Sequence, residues 1–320
     1  MLPVMARAQQ PGTDTGKTNT TRYPVKPIRF VVGLAPGGAT DIVARQIGQK
    51  LSEALGQQVI VDNRSGAAGS IAGAIVAKAQ ADGYTLLFVS SSFAINPNLH
   101  ALPFDAIKDF APVIRVAQAP FLLIVSPSLR IESVKELIAL GKTKSGKLLF
   151  SSGGTGGSGH MAGELFKNLT DIAAEHVPYR GGSPSTLDVA SGQVQFTFSA
   201  IMAGIVHWKA GRVRAIGVTS LQRSKVVPEL PTIAEAGVPG YQALTWYGLL
   251  APAGTPRDVI GKLNETVQKI VRVPDTAEKL LADGAEPVGD SPVEFAKFVA
   301  EEIERFGKLA RSMGLKPQKL

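Results

Sequence analysis

Two glycine-rich turns carry most of the chemistry this sequence offers. The stretch SSGGTGGSGH (151–160) contains Gly154-Thr155-Gly156-Gly157-Ser158-Gly159, which fits G-x-G-x-x-G letter for letter. An apolar run precedes it, and a helical pattern follows from His160 to Leu169. Glycines permit positive φ and close backbone approach. The free N–H groups of a following helix N-terminus, with the helix dipole, attract an anion. Ser152, Thr155 and Ser158 add hydroxyl donors, so a phosphate or a carboxylate suits the loop. A turn of the same kind lies at APGGATD (35–41). There Pro36 ends a strand, Gly37-Gly38 permits the turn, and Thr40 or Asp41 can cap the next helix. In a second role for that turn, the N–H groups from Gly38 through Ala39 to Thr40 face a cleft opposite the 152–158 loop. Two donor loops would then grip one anionic ligand.

Other chemistries find less support. A dinucleotide fingerprint needs an acidic residue at the end of the next strand, roughly 20 residues on, for the ribose hydroxyl. Val177-Pro178-Tyr179-Arg180 stands there instead. Gly16-Lys17-Thr18 imitates a phosphate loop, but no strand precedes it. His100, His160, His176 and His207 include no pair at metal-ligand spacing. There is no G-x-S-x-G nucleophile elbow, since His160 follows Gly159. His160 can serve as a base near Ser158, or simply bond to its own loop. An α/β enzyme that uses a nucleotide cofactor or hydrolyses a small anion stays the alternative to a binding protein, because a site can be assembled from distant residues.

The elements that must hold these turns alternate. Strand-like runs at 28–34, 58–63 and 84–91 are separated by helical patterns at 41–55 and 71–81. FLLIVSP (121–127) starts a second set, followed by a helix at 133–143, the strand KLLFSS (147–152) and a helix at 160–169. AAEHVPY (173–179), a helix at 183–191, QVQFTFSA and VRAIGVTS continue it. ALTWYGLLAPAG (243–254) reads as one more strand before helices at 256–272, 275–283 and 291–312. This is an α/β chain of two lobes, each a mostly parallel sheet flanked by helices. Ligands of such sheets sit at the carboxyl ends of strands. The turns at 34–41, 63–70, 90–98, 151–160, 178–185 and 198–204 are therefore expected to line the cleft.

Composition narrows the partners. The 320 residues are long enough for two lobes. A net charge of +8 is spread thinly, with no block of like charge and no aromatic–basic interleaving, which speaks against nucleic acid. The absence of cysteine excludes thiol nucleophiles and zinc ribbons. No apolar run of membrane-spanning length occurs. Ala6-Arg7-Ala8 before Gln9 is a small-x-small cleavage pattern. Residues 1–22 are accordingly expected to be a leader remnant or a disordered tail.

Consecutive blocks of the chain resemble the signature of one family. They are FVVGLAPGGATDIVARQIG, ADGYTLLFVSSSFAINPNL, SSGGTGGSGHMAGELF, HVPYRGGSPSTLDVASGQVQFTFS and VPGYQALTWYGLLAPAGTP. The family is that of the tripartite tricarboxylate transporter receptors, the Bug-type extracytoplasmic solute-binding proteins. The resemblance implies a periplasmic Venus flytrap of two α/β lobes, residues 23–123 with 248–320 and residues 124–247. It implies a monomer without a cofactor that captures a small carboxylate and delivers it to the membrane components of a tripartite transporter. Carried over, the ligand-gripping loops are Gly37 to Asp41 and Ser152 to Ser158. Ser90, Ser92 and Asn96 would line the first lobe, and Tyr179, Arg180 and Gly181-Gly182 the second. Two positions depart from the family pattern. Leu34 stands where an aromatic is common, and Ser199 where an acid that can receive a ligand amine is frequent. A plain mono- or dicarboxylate, aromatic ones included, thus fits better than an amino acid. Trp246 and Tyr247 can stack on a ligand or pack in the core.

Overall fold

The computed structural model describes residues 23–66, 69–143, 148–179, 181–312 and 314–319. The expected leader and Arg180 lie outside the described residues. The first parallel unit comprises β1 (Ile28–Val32), α1 (Ala39–Leu55), β2 (Val59–Asn63), α2 (Ser70–Ala77) and β3 (Thr85–Ser90). A short helix α3 (Ser92–Ile95) and β4 (His100–Ala101) follow. The second unit repeats the plan with β6 (Leu148–Ser152), α5 (Ser158–Thr170), β7 (Ala174–Pro178), α6 (Gly182–Ser191) and β8 (Phe196–Ala200). In each unit the first strand lies in the middle and pairs in parallel with the other two.

Local sequence explains these elements. On α1, Val43, Ile47 and Leu51 recur at helical spacing and are fully buried on the first core. Gly56 ends the helix in the left-handed region, where a side chain would be strained. On α5, Gly163 lets the helix approach β6 closely, since a Cβ there would lie 2.2 Å from the Phe150 ring.

Antiparallel strands join the units. β5 (Phe110–Val125) is one continuous strand of 16 residues. Its first part pairs with β10 (Leu244–Pro252) on one edge and at Ala117 and Gln118 with β11 (Glu286–Pro287) on the other. From Phe121 onward its partners are β8 and β9 (Arg214–Val218). β10 pairs in turn with β3. Thr219 ties the crossing strands together. Its Oγ1 accepts from Phe121 N–H at 2.7 Å and donates to the Ala243 carbonyl, and its own N–H bonds the Phe121 carbonyl.

The sequence pattern placed the start of this strand at Phe121, eleven residues late. The uninterrupted apolar run begins only at Phe121, whereas the stretch before it mixes Pro112, Arg115 and Gln118 among its apolar residues. In the structure Pro112 pairs with Leu250 next to a register shift, so the ladder tolerates it. The helix α7 (Ile201–Lys209) between β8 and β9 was also not anticipated. Its mostly apolar residues leave no distinct face for a helical period to show.

The remaining helices are α4 (Val134–Gly141), α8 (Arg257–Arg272), α9 (Pro274–Ala282) and α10 (Pro292–Ser312). They fall within two residues of the boundaries read from the sequence for the last three. α10 buries Phe295, Val299 and Phe306 against a cluster that contains Trp246. A two-residue strand β12 (Gln318–Lys319) pairs with β4. Among the described residues no helix is long and apolar enough to cross a membrane.

Candidate functional site

The two glycine turns adopt the same backbone. Gly37 and Gly156 have φ of 78° and 75°, in the left-handed region that favours glycine. Gly38 (φ −78°, ψ 164°) and Gly157 (φ −72°, ψ 159°) then serve as the N-caps of α1 and α5. The first intrahelical bonds are Ile42 N–H to the Gly38 carbonyl and Met161 N–H to the Gly157 carbonyl, both 3.0 Å. The N–H groups of Ala39 to Asp41 and of Ser158 to His160 therefore precede the helical ladder. They give each helix a set of donors at its positive end.

Glycines also bring neighbouring turns together in both units. A Cβ on Gly33 would lie 2.8 Å from the Cα of Gly69, the N-cap of α2. A Cβ on Gly153 would lie 3.1 Å from the Gly181 carbonyl carbon, where Gly181 is the N-cap of α6. Each half of the site is thus built on a pair of closely packed turns at the carboxyl ends of parallel strands.

The first half is a narrow crevice of about 30 Å³. Leu34, Thr40, Ser90, Ser92 and Asn96 line it with Phe93 and Phe104. The Ser90 and Ser92 hydroxyls are 3.0 Å apart. The second half encloses about 240 Å³. Gly157, Ser158 and Ser199 line it with Gly181, Gly182, Ser185, Thr186 and Thr197. No charged side chain lines either half among the described residues. The second-unit turn lies close to the first unit: a Cβ on Gly156 would lie 2.8 Å from Leu99 Cδ1.

Several expected ligand residues are engaged elsewhere. The Asp41 carboxylate is buried and turned into its own loop, accepting from Gly37 N–H at 2.9 Å, Arg45 Nε at 2.9 Å and Asn63 Nδ2 at 3.0 Å. Burial by itself would raise its pKa, but the bonds from Arg45, Gly37 and Asn63 hold it below the usual carboxylate range. Ser152 Oγ lies 2.7 Å from His176 Nε2 and accepts from Gly154 N–H at 3.2 Å, inside the turn. Thr155 is exposed on the same turn. The Tyr179 hydroxyl bonds Asp188 on α6, which is the first cause of a pKa pushed up to about 12.

Trp246 and Tyr247 belong to the core. Trp246 is fully buried against Phe295 and Phe298, with Nε1 3.3 Å from Glu302 Oε2. Sequence reasoning missed Phe104, Thr186, Thr197 and Phe121 as lining residues. The one available signal was the period-2 spacing of Thr197 and Ser199, which puts both hydroxyls on one face of β8.

The family model described as the tripartite tricarboxylate transporter family receptor matches residues 43–315. Relatives extend over nearly the whole chain. A protein encoded in the tcbD–tcbE intergenic region of Pseudomonas sp. strain P51 is 41% identical over 289 residues, 90% of this chain and 86% of that one. BugT of Bordetella pertussis is 36% identical over 297 residues, 92% and 91% of the two chains. Among solved structures, an R. palustris protein with adipate is 38% identical with a TM-score of 0.85, covering 92% of this chain and 100% of that one. The periplasmic binding protein BugD is 30% identical with a TM-score of 0.82, covering 92% and 100%. MatC from Rhodopseudomonas palustris with bound malate is 32% identical with a TM-score of 0.78, covering 90% and 99%.

The two α/β units joined by crossing strands have the fold of solved periplasmic binding proteins. The chain belongs to the tripartite tricarboxylate transporter receptor family, a family of receptors rather than enzymes.

Proposed function

We propose that this receptor captures a small organic carboxylate, with one or two carboxyl groups, between its two lobes. One observation carries the reading: two glycine turns of the same backbone, one in each unit, each aim the first N–H groups of a helix outward from a strand end. A carboxylate needs only a few such donors, and the dipoles of α1 and α5 add to them. The likeness to proteins solved with adipate and with malate supports this ligand class. The lining without an acidic side chain among the described residues speaks against a ligand amine.

Leu34, Gly37, Gly38, Ala39, Thr40, Ser90, Ser92 and Asn96 form the first half of the proposed grip. Gly154, Gly156, Gly157, Ser158 and Ser199 form the second. Asp41, Ser152, Thr155 and Tyr179 belong to the same turns, and at least Asp41, Ser152 and Tyr179 support them through the bonds described above. We draw the lobes as residues 23–123 with 248–320 and residues 124–247. The change of β5 partners after Pro120 supports a boundary a few residues earlier on that strand. The mature protein would work in the periplasm after loss of a leader, as a monomer, handing its ligand to the membrane components of a tripartite transporter.

The test is Gly38→Val. At φ −78° a side chain is unstrained, and its Cβ meets only the Ala35 carbonyl oxygen at 3.5 Å. The fold is therefore expected to persist while the side chain blocks the donors. Calorimetry with adipate and malate should show binding to the wild type and none to the variant. Equal affinity in the two proteins rejects the reading.

A further inference from the structure

Each glycine turn is braced from inside by the residue four positions after its left-handed glycine. Gly37 N–H donates to Asp41 Oδ2 at 2.9 Å, and Gly156 N–H donates to His160 Nδ1 at 3.1 Å. The two bonds are geometric equivalents made by different chemistry, a carboxylate in one unit and an imidazole in the other. Both braces are buried, at 3% and 5% exposure, and neither lines its half of the site.

We infer that Asp41 and His160 are matched positioning residues, which hold the two turns so that the first-turn N–H groups of α1 and α5 stay aimed at the ligand. The inference rests on the two-loop reading of the site. Its physical basis is the cost of an unpaired buried donor. A left-handed glycine in these turns directs its N–H inward, and without an acceptor there the peptide must rotate to find one. Rotation of that peptide carries the next one, at the N-cap, with it.

His160 is held from several sides. Accepting at Nδ1 requires that nitrogen to be unprotonated, so the ring proton sits on Nε2, which is 3.7 Å from Glu164 Oε1. The His160 ring stacks on His176 with centroids 3.8 Å apart, and His176 is itself tied to Ser152 Oγ at 2.7 Å. Lys167 bonds Glu164 at 2.9 Å and completes the charged groups behind the ring. On the other side, His100 Nε2 would lie 3.9 Å from a Cβ on Gly156.

The test compares His160→Ala with His160→Asn. An asparagine Oδ1 can take the place of Nδ1 as acceptor; an alanine offers nothing. The probe is adipate or malate, whichever gives the larger thermal shift with the wild type. His160→Ala is expected to weaken binding by about tenfold, and His160→Asn to stay within about threefold of the wild type. A readout that needs no ligand is exchange of the Gly156 amide followed by NMR. It should quicken by about tenfold in His160→Ala and stay protected in His160→Asn. Equal affinity and equal protection in His160→Ala overturn the inference. So does an asparagine variant as impaired as the alanine one, since the acceptor would then be irrelevant. If Gly38→Val also binds normally, it is the two-loop reading that fails. If Gly38→Val abolishes binding and His160→Ala does not, only the positioning role falls.

Discussion

At Trp246, packing and ligand stacking make opposite predictions. Trp246 fills the core between β10 and α10 and donates to buried Glu302. Trp246→Phe should therefore destabilise the protein by about 1–3 kcal/mol in urea titrations, through lost volume and the lost indole hydrogen bond, with Arg305 still donating to Glu302. The affinity for the carboxylate probe should not move; a large loss of affinity would restore the stacking role. His176 makes a prediction about pH. Burial is the first cause that lowers its pKa, to about 3. Between that value and the ordinary histidine range the unfolded chain binds a proton that the folded one does not. Stability therefore falls as pH drops through this window. From pH 6.5 to 5 the loss attributable to this side chain is at most about 2 kcal/mol. Urea midpoints of His176→Gln should show a correspondingly flatter dependence, and parallel curves for the two proteins would refute it.

Among the elements, the crossing strands set how the units are joined. Thr219 Oγ1 serves the backbones of both β5 and the segment leading into β10. Thr219→Val keeps the shape but leaves Phe121 N–H and the Ala243 carbonyl without that partner. A loss of about 1–3 kcal/mol is expected by chemical denaturation. An unchanged midpoint would mean that water or a shifted backbone replaces the hydroxyl. Legibility at this scale followed period and length. α1, α5, α8 and α10 carry apolar stripes long enough to be read directly, and they were. β5 was cut short because its first half mixes polar residues among the apolar ones, and only its pairing partners decide where the ladder begins. α7 escaped because nine mostly apolar residues have no distinct face.

For the whole molecule, a receptor that closes on an anion gains stability by mass action. At a probe concentration a hundred times Kd the gain is about 2.7 kcal/mol. Adipate or malate should raise the melting temperature, and NAD(P) should not. The reverse pattern would favour a nucleotide-using enzyme over the proposed receptor. Much of the site was legible as backbone chemistry. The turns 35–41 and 151–160 announced themselves by glycine followed by a helical pattern, and both form helix N-caps. The side-chain lining was not, because Phe104, Phe121 and Thr186 come from segments whose nearness depends on the packing of distant strands.

The sequence alone determined the alternating α/β plan, the two glycine turns at helix N-termini and the family. All three are written in local period, glycine placement and ordered motif blocks, which need no knowledge of the fold. Tertiary structure decided which polar groups remain for a ligand. Asp41, Ser152 and Tyr179 carry the right chemistry in the sequence, yet each is consumed by a partner brought close in space: Gly37 with Arg45 and Asn63, His176, and Asp188. A hydrogen-bonding group is free or occupied according to its neighbours in three dimensions, and residue identity does not carry that information.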